Sequence, residues 1–167
     1  AKLANKKKIM ILEDACQAIG AQQDGKMAGS FGDIGAFSFY ATKNITCGEG
    51  GAITTDNKTF AEKSKLFRQH RMSALGSYDY DDIGYNYRMT DMNAAFLLEQ
   101  LKKVDEITKR RIKNATYLSE LLGKIKGIEV PFVEKNYKHV FHQYTIKVNG
   151  FKISRDMLAE RLRGKGI

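Results

Sequence analysis

Four consecutive apolar residues, Ile9, Met10, Ile11 and Leu12, follow a polar, basic lead over residues 2–8. A run without alternation reads as a strand covered on both faces, the habit of a parallel sheet in an α/β domain. The run ends on Glu13 and Asp14. Ligands of open α/β sheets gather at the carboxyl ends of strands, so Asp14 is either a functional acid or a cap for residues 15–20. Gly25, Gly29 and Gly32 among polar neighbours predict a loop or short hairpin, and residues 34–39 return as a short strand. Gly48-Glu49-Gly50-Gly51 is a turn before the β-prone residues 52–55, and Asp56-Asn57 can cap a helix carrying Phe60, Leu66 and Phe67. Residues 72–88 are polar, rich in tyrosine and without periodicity, and a loop of that length in a compact domain is usually functional.

Thr90-Asp91 starts the longest element. Leu97, Leu101, Val104, Ile107, Ile112, Ala115, Leu118 and Leu122 keep three- and four-residue spacing up to Gly123. This predicts one long helix or two nearly continuous ones, and about 30 residues at 1.5 Å each is long enough to join two domains. Beyond Pro131, the positions Val140, His142, Tyr144, Ile146 and Val148 alternate as a half-buried strand, with Asn149-Gly150 as a turn. Ser154 can cap a last helix bearing Met157, Leu158 and Leu162. The sequence stops at Gly166-Ile167, where another strand is expected, so this end reads as a small domain cut short.

Composition narrows the class. With 167 residues, 43% of them hydrophobic, the chain can bury one sizeable core. Cys16 and Cys47 have neither metal-site spacing nor the density of a secreted scaffold, which points to a reducing cytoplasm and leaves a disulfide between them open. Cys16 is expected to be buried. No apolar run approaches the roughly 18 residues of a membrane span. The net charge of +9 lies wholly in residues 101–167. Lys102, Lys103, Lys109, Arg110, Arg111 and Lys113 are spread through the long helix, as on a solvated face, and without a nucleic-acid-binding motif no nucleic-acid partner is expected.

Lys43 is the candidate for chemistry. It stands in FYATKNITCGEGG, between an apolar strand and a glycine-rich turn. An amine among apolar groups loses part of its preference for the charged form and can form a Schiff base with an aldehyde. The competing reading, a surface lysine in a turn, is the ordinary one for this residue type. His70 and His142 could ligate or donate protons, though a lone histidine is more often a packed or loop residue.

Three motifs, ILEDACQAIGA at 11–21, GAFSFYATKNITCGEGGAITT at 35–55 and GYNYRMTDMNAA at 84–95, together resemble the DegT/DnrJ/EryC1/StrS family of sugar aminotransferases. The resemblance extends to HQYTIKV and SRDMLAERLRGKGI near the end of the chain. It implies an α/β fold: part of the three-layer, fold type I large domain that binds pyridoxal 5'-phosphate (PLP) over residues 1–104, then a linking helix and the start of a small α+β C-terminal domain over 105–167.

By the same resemblance, Lys43 carries the cofactor covalently and Asp14 pairs with its pyridine nitrogen. A carboxylate there favours the protonated ring, which draws electrons from the substrate carbon. Gln17 matches the contact to the phenolic oxygen, Ser38 a phosphate ligand, and Asn86 the phosphate ligand of the neighbouring subunit, which implies a homodimer with composite sites. Glu49 and Arg88 are weaker candidates for substrate contacts. The implied reaction moves an amino group from an amino acid, by family habit L-glutamate, to a nucleotide-linked keto-deoxysugar, for surface polysaccharide, glycan or antibiotic synthesis. Dehydratases of the family carry histidine in place of this lysine. The family's glycine after the histidine at position 70 is here Arg71, and its Gly/Ser/Thr-rich phosphate loop and stacking aromatic are not found before residue 1, so the chain is expected to be a fragment with little activity alone. Two other classes remain: a non-catalytic regulatory or assembly protein of the same fold, and a basic nucleic-acid-binding module.

Overall fold

The computed structural model describes residues 2–72, 78–80 and 82–167. The basic lead forms a short helix, α1 (Lys2–Lys7), and the chain then enters β1 (Leu12–Asp14). The hairpin β2 (Gln22–Gln23) and β3 (Lys26–Met27) follows, joined through Asp24 and Gly25 with φ of 50° and 76°. Left-handed conformations at both central positions are what an Asp-Gly hairpin turn requires. Next come β4 (Ile34–Ser38), β5 (Gly51–Thr54) and α2 (Lys58–Arg68), the last capped by Asn57, whose side chain accepts from the Phe60 N–H at 3.2 Å.

The principal sheet has the order β1-β4-β5. β1 runs parallel to β4 and β5 antiparallel to it, so the parallel expectation holds for one pairing and an antiparallel edge is added. The expectation that residues 9–12 form a strand covered on both faces does not hold. Regular pairing begins only at Leu12, and Ile9, Met10 and Leu12 are 58%, 71% and 71% exposed. β1 is an edge of this sheet, and no described residues pack across these side chains in the way a central strand is packed.

The long helix is two helices, α3 (Asp91–Leu101) and α4 (Val104–Leu122), interrupted at Lys102 and Lys103. Thr90 caps α3 by accepting from the Asn93 N–H at 3.2 Å. Leu97, with Val104 and Ile107 beside it, packs on Phe39, Ile45 and Cys47, so the two helices close over the end of β4 and the turn that follows it. Burying such side chains contributes roughly 1.5–3 kcal/mol each. The turn is consequently part of the core rather than a surface connection.

In the last third of the chain, β6 (Ile128–Glu129) pairs with β8 (Lys147–Val148), while β7 (Tyr137–Lys138) adds to the β2–β3 hairpin. The strand expected over 140–148 is therefore corrected to β8 alone. Val140 is buried and exposure still alternates along 142–148, but the backbone of 140 and 141 bonds to side chains instead of a ladder, and Phe141 takes a φ of 44°. The final helix, α5 (Arg155–Arg163), is capped by Ser154 as expected. Cys16 is half-buried rather than buried, and both cysteines are free thiols, which answers the open disulfide. Among the described residues no helix is long and apolar enough to cross a membrane.

Candidate active site

Successive residues of a strand point to opposite faces, and the last two residues of β1 divide accordingly. Glu13 turns inward and accepts from the backbone N–H groups of Gly29 and Phe31, at 2.7 and 3.0 Å, clamping the loop before β4. Asp14 turns the other way, into an open cleft of about 660 Å³ that it lines with Cys16, Gln17, Ala18, Lys43, His139, His142, Gln143 and Thr145. Of the two acids at this strand end, only Asp14 is placed for chemistry. Asp14 also accepts from the Cys16 N–H at 3.0 Å, so the turn-cap reading holds too, without a following helix. Hydrogen bonding from Cys16, thiol first and then backbone, together with the Lys43 charge, holds the Asp14 carboxyl below its usual range. The same contact and partial burial push the Cys16 thiol up, so it stays protonated at neutral pH.

Lys43 is half-buried, and its position follows from the residues around it. The buried Phe39 precedes it and the buried Asn44, Ile45 and Cys47 follow. The Lys43 N–H donates to the Tyr40 carbonyl at 2.9 Å, and the Phe39 carbonyl accepts from both the Cys47 N–H and the Thr46 hydroxyl, at 3.1 and 2.9 Å. A side chain carried on so constrained a turn needs little reorganisation to meet a ligand. The surface-lysine reading is replaced by a lysine on a core-anchored turn, facing a carboxylate across a cleft.

The remaining candidates are less concentrated. Gln17 lines the cleft. Ser38 ends β4, where its hydroxyl accepts from the Tyr40 N–H at 3.3 Å. Asn86 and Arg88 lie elsewhere, both tied to Gln69: Asn86 through an isolated backbone bridge, Arg88 through a 3.3 Å bond to the Gln69 side chain. Glu49 is exposed, and its carbonyl accepts from Asn93 at 3.1 Å. Of the expected Tyr-rich loop, residues 73–77 and 81 lie outside the described residues. Arg71, standing where a glycine was expected, has a φ of 62°, the left-handed region that favours glycine, and its guanidinium meets Asp82 at 3.5 Å. Among the described residues no group of three or more His, Cys, Asp or Glu is placed to hold a metal.

His142, read from sequence as a packed or loop residue, lines the cleft beside Lys43. Its Nδ1 lies 3.2 Å from the Oδ1 of Asn44, and partial burial, then the charges of Lys43 and Arg111, hold its pKa below the ordinary value. Nothing local marks this contact, because its partners are 98 residues apart.

A protein of Methanocaldococcus jannaschii described as uncharacterized is 41% identical over 99% of the chain and 46% of its own length. The GDP-perosamine synthase of Caulobacter vibrioides is 36% identical over 99% of the chain and 45% of its own. The chain thus spans less than half the length of these relatives. Among solved structures, the Escherichia coli GDP-4-keto-6-deoxy-D-mannose-3-dehydratase with bound hydrated PLP superposes with a TM-score of 0.90 at 26% identity, over 99% of the chain and 47% of that one. The fold is accordingly that of part of a PLP-dependent transferase. The sequence profile of one family matches residues 1–167, and the chain belongs to the DegT/DnrJ/EryC1/StrS aminotransferase family.

Proposed function

We propose that this chain supplies the lysine-bearing part of a PLP-dependent aminotransferase acting on nucleotide-linked keto sugars. The observation that carries the reading is the placement of Lys43 and Asp14 on one cleft, in a chain of this family. The residues fit the cofactor. The cleft volume of about 660 Å³ is in the range of small-molecule sites, which run from about 300 to 1,000 Å³. Its donor set is an amine able to bond an aldehyde, an ionised carboxylate for a ring N–H, and an amide for a phenolic oxygen.

When bound, pyridoxal phosphate supplies an electron sink for the substrate α-carbon. Asp14, kept ionised by Cys16 and Lys43, holds the ring nitrogen protonated. Lys43 would hold the cofactor through Nζ, and its amine, when free, would serve as the base that takes the proton from the substrate carbon, with an amino acid such as L-glutamate as the donor. Gln17 orients the ring. Ser38 contributes to the phosphate site, to which Asn86 of a second copy adds. Glu49 and Arg88 remain proposed as substrate contacts.

The reading extends to a homodimer with composite sites. Phe67, Tyr85 and Tyr87 support it by stacking in a row, with centroids 6.4 and 4.9 Å apart, on a surface where Tyr87 is 70% exposed. We assign residues 1–104 to the cofactor-binding domain and 105–167 to the linking helix and small domain, and place the protein in the cytoplasm, as its free thiols favour.

The test is borohydride reduction in the presence of pyridoxal phosphate followed by peptide mass analysis. A cofactor-sized adduct on Lys43, absent from Lys43→Ala, is expected; an adduct of equal yield in Lys43→Ala would sink the reading.

A further inference from the structure

His139, His142, Gln143 and Thr145 line the cleft from a single segment, and the roles assigned to Asp14, Gln17 and Lys43 use none of them. This segment is fixed from outside. Asn44 donates through Nδ2 to the Val140 carbonyl at 3.2 Å, and Arg111 donates to the Phe141 carbonyl at 3.1 Å. Phe141 is left-handed, with a φ of 44°. That conformation is unfavourable for a residue with a Cβ, and it persists only where the surroundings over-determine it.

The same bonds fix the protons on the two imidazoles. The Val140 carbonyl can only accept, so the Asn44 amide turns its nitrogen to it and its Oδ1 to His142. An amide oxygen accepts, so His142 donates from Nδ1, and its neutral ring presents a bare Nε2. His139 is the reverse. Its Nδ1 accepts from the Phe141 N–H at 3.0 Å, so its Nε2 carries the hydrogen.

We propose that His139 and His142 form a donor–acceptor pair for a polyhydroxylated substrate, with His139 donating from Nε2 to a substrate oxygen and His142 accepting a substrate hydroxyl at Nε2. Asn44 acts as the positioning residue that sets the His142 tautomer. A hydroxyl is both donor and acceptor, so opposite tautomers on one segment complement a sugar better than two identical rings would. The low His142 pKa keeps the acceptor free near neutral pH. This assignment rests on the aminotransferase reading for the presence of a sugar beside Lys43, whereas the tautomers are independent of it.

The test is nitrogen-15 NMR of the histidine rings in the full chain, with GDP-mannose as an unreactive nucleotide-linked probe. The expected spectra show Nε2–H for His139 and Nδ1–H for His142, ring-nitrogen shifts in both on adding GDP-mannose, and loss of the His142 tautomer preference in Asn44→Ala. The same tautomer on both rings, or unmoved ring nitrogens with the probe, overturns the pair; both measurements use the unsubstituted chain and do not depend on the variant folding. Borohydride trapping at Lys43 reads the cofactor assignment separately. Failed trapping with the expected tautomers and shifts removes the cofactor reading alone, and successful trapping with wrong tautomers removes the histidine pair alone.

Discussion

Asn44 and Val140, 96 residues apart, are joined by a buried 3.2 Å hydrogen bond that fastens the Lys43 turn to the segment carrying His139 and His142. One neighbour of the proposed catalytic lysine is thereby the anchor of the opposite wall of the cleft. Replacing Asn44 with Ala leaves the Val140 carbonyl buried without its donor, and a loss of about 1–3 kcal/mol is expected. Urea denaturation measures it as a lower midpoint with an unchanged slope.

Asp14 is expected to act through charge rather than shape. Asp14→Asn keeps an oxygen for the Cys16 N–H but loses the negative charge opposite the ring nitrogen. Trapping at Lys43 should persist, while the half-reaction of the cofactor-loaded protein with glutamate, followed by absorbance, should slow by about 10²–10³-fold, as when one preorganised electrostatic group is removed. An unchanged rate would show that Asp14 has no such role.

Thr108 is 1% exposed in α4, and its hydroxyl has no hydrogen-bond partner among the described residues. A Cβ added at Gly20 would stand 3.5 Å from this hydroxyl. Exchanging the unpaired hydroxyl for a methyl removes a desolvation penalty at nearly constant volume. Thr108→Val is expected to raise stability by about 1 kcal/mol, whereas Thr108→Ser keeps the hydroxyl, deletes a methyl and should lower it by about 0.8 kcal/mol. Thermal denaturation of the pair gives both signs.

His142 makes stability depend on pH in a direction set by its lowered pKa. Partial burial comes first among the causes, then the Lys43 and Arg111 charges, with the uncharged Asn44 amide as the hydrogen-bond partner. Above the ordinary value of 6.5, folded and unfolded states are both neutral at this site, so no dependence arises there. As pH falls below it, the unfolded chain takes up the proton first and stability declines until the folded pKa is passed. His142→Gln should flatten that part of the profile, measured by denaturation midpoints across the window, and an unaltered slope would contradict the placement of His142.

Much of the fold was legible because its signals are local. Thr90, Asn57 and Ser154 cap helices through bonds spanning three residues, and Asp24-Gly25 forms its turn alone. Arg71 shows the same legibility in reverse: a glycine expected there corresponds to a left-handed backbone, and the arginine adopts it nonetheless. Over residues 140–148 the alternation that predicts a strand does not make one. The alternation in burial is real, but a ladder needs a neighbour in register, and β6 offers one only to Lys147 and Val148.

By itself, the sequence determined the helices from α2 to α5 with their caps Asn57, Thr90 and Ser154, the early hairpin, and Lys43 and Asp14 as the residues of interest, since these depend on spacing within a few residues. Tertiary structure decided what surrounds them. It turned Glu13 away to clamp a loop, left Ile9, Met10 and Leu12 on an exposed sheet edge, and brought His139 and His142 to the cleft. Those outcomes depend on hydrogen bonds and packing between segments far apart in the chain, such as the bond from Asn44 to Val140, whose partners carry no local mark of each other.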